Sequence, residues 1–77
     1  MGLYDEKHKS LVEKLKIARI ESNISQEELA KKLNRTQSFI SKLENGQVKV
    51  NAILLAELSK LYKKSVNYFL EEKNESN

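Results

Sequence analysis

A chain of 77 residues buries only roughly 60% of its unfolded surface, so it supports a single core and a single domain, here with 14 Lys/Arg against 11 Asp/Glu and a net charge of +3. It has no cysteine, which excludes disulfides, a thiolate nucleophile and a cysteine-ligated zinc and leaves stability to packing alone. No apolar run approaches the roughly 20 residues that a bilayer span needs and no secretory pattern opens the chain, so a cytoplasmic protein is expected.

Apolar residues recur at three- and four-residue spacing, with no proline and only Gly2 and Gly46 as breakers, which reads as all-α. The first helix is expected from about Asp5 or Lys9 to Ser22, with Leu11, Leu15 and Ala18 on one stripe and Val12 beside it. Asn23 then suits a left-handed turn. In Ile24-Ser25-Gln26-Glu27-Glu28-Leu29, Ser25 caps, Glu28 answers as its reciprocal partner and Ile24 staples against Leu29, so a second helix starts at Gln26 and ends near Leu33. Thr36 caps a third helix from Gln37 to Asn45, which Gly46 terminates. Asn51 caps a fourth helix to about Tyr62, and Ser65 caps a short fifth from Val66 to about Leu70. The domain is thus placed at 1–70, with 71–77 a polar flexible tail.

The second and third helices are joined by three residues, and Leu29, Ala30 and Leu33 on one face Ile40 and Leu43 on the other. That is helix-turn-helix geometry, in which Ala30 is small enough for the close approach. Charge is concentrated in the same place. Residues 31–49 hold Lys31, Lys32, Arg35, Lys42 and Lys49 against Glu44 alone, a local +4, whereas both ends of the chain are near neutral. A basic stripe confined to one segment is the footprint of a polyanion partner; the alternative is a solvated, merely Lys-rich surface. In the fourth helix Ala52, Leu55, Leu58, Ser59 and Tyr62 share one face, which leaves further apolar residues over. Ile53, Leu54, Leu61 and Tyr68, with Phe69 nearby, are therefore expected at a subunit interface, the alternative being that they complete a tight five-helix core.

The run Gln26-Glu27-Glu28-Leu29-Ala30-Lys31-Lys32-Leu33, followed by Arg35-Thr36-Gln37-Ser38-Phe39-Ile40-Ser41-Lys42-Leu43-Glu44-Asn45-Gly46, resembles the Cro/phage-repressor (XRE-type) helix-turn-helix family. The likeness extends from about Leu15 to Leu70 and takes in Leu61-Tyr62 and Ser65-Val66-Asn67-Tyr68-Phe69-Leu70 in register. It implies a compact, all-α, four- to five-helix, lambda-repressor-like DNA-binding domain. It also implies that the second motif helix enters the major groove, and that a homodimer binds a partly palindromic double-stranded operator.

Carried over by position, Gln26 resembles the family's phosphate-contacting residue, where side chain and helix N-terminus both favour an anion. Gln37, Ser38, Ser41 and Lys42 would read bases, Gln37 through adenine N6 and N7 and Lys42 through guanine or a nearby phosphate. Asn45 and Lys49 resemble backbone-clamping positions, and Arg35 and Thr36 border the groove, where they would touch phosphate. Thr36 and Ser25 serve as caps with or without DNA. Phe39 either packs under the fourth helix or touches a thymine methyl. Arg19 and Glu44 match a pair that is ion-bonded in relatives. Asn34 stands where the family often has Gly, and Lys63-Lys64 where it often has Gly-Val, which removes an apolar anchor before the fifth helix.

The expected function is a sequence-specific transcriptional regulator of repressor or controller type. The alternative is a protein-interaction module, such as an antitoxin, with secondary DNA binding. No enzyme is expected, because cysteine is absent, His8 is the only histidine, and neither a phosphate-cradling glycine loop nor a spaced carboxylate pair occurs. No cofactor or metal is expected, and no small-molecule ligand either, since no sensor domain follows Leu70.

Overall fold

A computed structural model describes residues 6–71, which form five helices in the order α1 (Glu6–Glu21), α2 (Gln26–Leu33), α3 (Gln37–Glu44), α4 (Ala52–Tyr62) and α5 (Val66–Leu70). The all-α expectation holds across this span. An α1 start at Asp5 and the tail beyond Glu71 lie outside the described residues. α3 ends one residue sooner than expected, with Asn45 as its cap rather than its last turn.

Each of the four later helices opens on a side-chain acceptor. Ser25 Oγ accepts from the Glu28 N–H at 3.0 Å, Thr36 Oγ1 from Phe39 at 3.0 Å, Asn51 Oδ1 from Leu54 at 2.8 Å and Ser65 Oγ from Tyr68 at 3.1 Å. These bonds satisfy N–H groups that the helix itself leaves without acceptors. The first four helices end alike. Asn23, Asn34, Gly46 and Lys63 all take left-handed backbone, and the residue after each donates back to the last turn: Ile24 to Arg19, Arg35 to Ala30, Gln47 to Lys42 and Lys64 to Ser59. This is the Schellman arrangement. Asn tolerates a positive φ and Gly adopts it freely, so Lys63 is the one of the four with neither advantage.

α1 packs against α3, α4 and α5, and α2 against α3. Leu15, Leu29, Ile40, Leu43, Leu58 and Phe69 are fully enclosed where these helices meet, with Ala18, Ala30, Leu54, Leu55 and Tyr62 around them. Ala30 is 4% exposed in the α2–α3 angle and Ile40 is 0% exposed, so the motif closes on itself as its spacing requires.

Despite losing an apolar anchor at Lys63-Lys64, α5 is held firmly. Phe69 enters the core edge-on to Tyr62, with ring centres 6.5 Å apart. Lys14 of α1 donates to the carbonyls of Tyr68 and Glu71 at the end of α5, where a cation complements the helix dipole. Lys64 places its ammonium 4.8 Å from the Tyr68 ring centre.

The surplus apolar face expected on α4 is narrower than its sequence implied. Leu54 is 4% exposed and belongs to the core, as in the alternative of a tight five-helix core, and Leu61 is half-buried against it. The reason is that α1 and α5 both pack on α4 and widen its buried stripe beyond the single face of Leu55, Leu58, Ser59 and Tyr62. Ile53 stays 74% exposed and Tyr68 39%, joined by Val66 and Leu70. Ala52, expected on the inward face, is exposed.

Candidate nucleic-acid interface

At about 100° per residue, Gln37, Ser41, Ser38 and Lys42 fall within an arc of about 140° on α3. Ile40 and Leu43 fall on the opposite side and are buried. Gln37, Ser38 and Lys42 are exposed and Ser41 is half-buried. None of their side chains hydrogen-bonds to another described residue, so the donors and acceptors of this face are unspent. Asn45, one step past the helix, lies over the middle of the same arc. Arg35 and Thr36, just before the helix, and Lys49, in the loop after it, are exposed.

The floor beneath this face is ionic. Glu44, at the end of α3, is buried, and its carboxylate receives Arg19 Nε at 2.7 Å and Arg19 Nη2 at 3.1 Å, a two-toothed pair. Arg19 Nη1 also donates to the Ile24 carbonyl at 2.7 Å, which fastens the α1–α2 turn to the same point. The expected tie between the first helix and α3 is therefore present in the geometry. Beside it, the Tyr62 hydroxyl titrates well above its usual range. Burial is the main cause and the Glu44 charge adds to it, while Arg19 opposes both.

This pairing reshapes the surface charge. Glu44, the one acid among residues 31–49, is turned inward and neutralised by Arg19, whereas Lys31, Lys32, Arg35, Lys42 and Lys49 are all exposed. The outer surface of the segment is thus uniformly positive. The first turn of α3 carries no acid, so nothing offsets the positive end of its dipole.

A helix-turn-helix family model matches residues 15–69, most of the chain. The chain belongs to the Cro/phage-repressor type of helix-turn-helix family, whose members are DNA-binding regulators. No curated protein and no solved structure matches it. Within this helix-turn-helix, α2 and α3 are the two motif helices and Asn34-Arg35-Thr36 is the turn. Among the described residues, no helix is long and apolar enough to cross a membrane, and no cluster of His, Asp or Glu is placed to hold a metal ion.

By helical spacing Gln37, Ser38, Ser41 and Lys42 share one side of α3, with Arg35 and Thr36 just before the helix and Asn45 just after it. Gln26 sits differently. It is half-buried at the start of α2, and its Nε2 donates to Glu44 Oε1 at 3.0 Å, which leaves one amide hydrogen for any other acceptor. The sequence reading missed this bond because its partners are 18 residues apart. It also missed the seat of Arg35, whose guanidinium carbon lies 4.4 Å from the centre of the Phe39 ring. Their four-residue spacing across the Thr36 cap was the available signal. Phe39 itself is half-buried against the core, which favours its packing role over contact with a thymine methyl.

Proposed function

We propose that this chain is a sequence-specific transcriptional regulator, of repressor or controller type, that inserts α3 into the major groove and binds a partly palindromic operator as a homodimer. The observation that carries the reading is the divided character of α3. Ile40, Leu43 and Glu44 are committed inward, while Gln37, Ser38 and Lys42 stand outward with unspent hydrogen-bonding groups in a field of exposed cations. Five exposed cations and no exposed acid between residues 31 and 49 favour a polyanion partner over a merely solvated, Lys-rich surface.

In this reading Gln37, Ser38, Ser41 and Lys42 are the base readers. Arg35, Thr36, Asn45 and Lys49 hold the backbone, and Gln26 contributes its remaining amide hydrogen to a phosphate. Ile53, Val66, Tyr68 and Leu70 supply the exposed apolar surface for self-association, with Leu61 at its edge and Leu54 excluded by its burial. Two such subunits would set their α3 helices about 34–36 Å apart on one face of the duplex.

Selection of bound sites from random duplexes at low ionic strength tests the proposal. A short, partly palindromic consensus is expected, with affinity that falls steeply as salt rises because phosphate contacts release counterions. Gln37→Ala should cost about 1–3 kcal/mol and relax the preference at one base pair. Equal weakening on every sequence removes Gln37 as a reader, and failure to retain any duplex removes the regulator reading altogether.

A further inference from the structure

We propose that Phe39 is a positioning residue for DNA binding: its ring is a platform that holds the Arg35 guanidinium, ready oriented for a backbone phosphate, at the mouth of α3. The proposal rests on the reading of α3 as the DNA-facing helix.

Arg35 occupies the position before the Thr36 cap, and Phe39 the third position of α3. A capping box would place Glu at that third position to return a bond to the cap. Phenylalanine cannot do so and instead presents a π face four residues from Arg35. The guanidinium carbon lies 4.4 Å from its ring centre, well within the range of a cation–π contact.

The platform is fixed from below, since Phe39 is half-buried and packed on the core cluster. The backbone from which the arginine springs is fixed as well, because its N–H donates to the Ala30 carbonyl at 2.8 Å. No carboxylate among the described residues pairs with Arg35, so its five N–H groups are unclaimed. A guanidinium lying on a ring keeps these donors in its own plane, where they match two oxygens of a phosphate. The same phosphate would meet the acid-free N-terminus of α3. Rotamer freedom that arginine normally loses on binding is thereby lost on folding instead.

The test is a double-mutant cycle, with affinity for a selected duplex measured by fluorescence anisotropy at one ionic strength. Phe39→Leu retains apolar bulk and removes the π face, and is expected to weaken binding about two- to fivefold. Phe39→Tyr should bind as the parent does. In an Arg35→Ala background Phe39→Leu should have no further effect, because nothing is left to position. Equal weakening by Phe39→Leu in both backgrounds means that the ring acts through packing alone and overturns the proposal. So does full affinity in Arg35→Ala.

A second measurement needs no DNA. In the free protein the Arg35 δ protons should show a ring-current shift that Phe39→Leu abolishes, and its absence from the parent overturns the platform directly. If the shift is present and no duplex binds, the regulator reading fails, and the role assigned to Arg35 falls with it.

Discussion

α2 and α3 are both eight-residue helices opened by a hydroxyl cap, yet one opening is closed and the other is not. At α2, Glu28 returns the bond of Ser25 by accepting its backbone N–H at 2.9 Å, Ile24 packs on the core, and Gln26 is tied to Glu44. At α3, Phe39 replaces the returning glutamate, Arg35 replaces the apolar Ile24, and no acid stands in the first turn. The same local geometry thus serves two ends. The α2 opening has a returning carboxylate and two acids in its first turn, whereas that of α3 has neither, which leaves its positive end without an acid. A cap by itself is therefore silent about binding. What the neighbouring positions do with the remaining donors carries the information.

The largest effect should come from Glu44→Ala, which removes the point to which the α2 opening is tied. It strands the Arg19 guanidinium, only 11% exposed, without its acid, and releases Gln26. Breaking one partner of a buried pair costs about 3–5 kcal/mol. Chemical denaturation should show a loss of that size, and a loss below about 1 kcal/mol would mean that the α2 opening stands without the tie.

Tyr62 probes the same closed side through pH. Its hydroxyl is held neutral in the fold by burial and by Glu44, so its folded pKa lies above the value of about 10 in the unfolded chain. A raised pKa gives stability that is fully present below pH 10 and lost as pH climbs above it. The expected contribution is about 1.4 kcal/mol per pH unit. Tyr62→Phe should flatten this alkaline decline in denaturation midpoints between pH 9 and 11 without changing its acid side. An unchanged alkaline slope would place the titrating group elsewhere.

Much of this division was legible in the sequence, because its signals are local. Ser25 with Glu28, Thr36, Asn51, Ser65 and Gly46 each mark a boundary within four residues of themselves, and the structure places caps or stops at all of them. The outward set on α3 was legible from helical spacing once Ile40 and Leu43 were assigned inward. What escaped depends on distant packing. Which side of α4 hides Leu54 is decided by α1 and α5 together, and the grip of Glu44 on Gln26 joins residues that no periodicity connects. The Arg19–Glu44 pair was anticipated only through family resemblance, for the same reason.

The smallest effects in stability separate the two openings most sharply. Ser25→Ala and Thr36→Ala each remove one cap and should each cost about 1 kcal/mol in thermal or chemical denaturation. The two costs should be alike, since the bond to Glu28 Oε1 is donated by the backbone N–H of residue 25, which alanine keeps. On DNA the two variants should part. Thr36 borders the face proposed to meet phosphate and sets the first turn of α3, so Thr36→Ala should weaken duplex binding several-fold where both variants are fully folded. Ser25→Ala should weaken it less, because Gln26, the phosphate contact proposed at the α2 opening, keeps its tie to Glu44 in that variant. If the two variants lost affinity only in proportion to their lost stability, the openings would be equivalent. The unreturned bond at Phe39 would then be an accident of packing rather than room kept for a ligand.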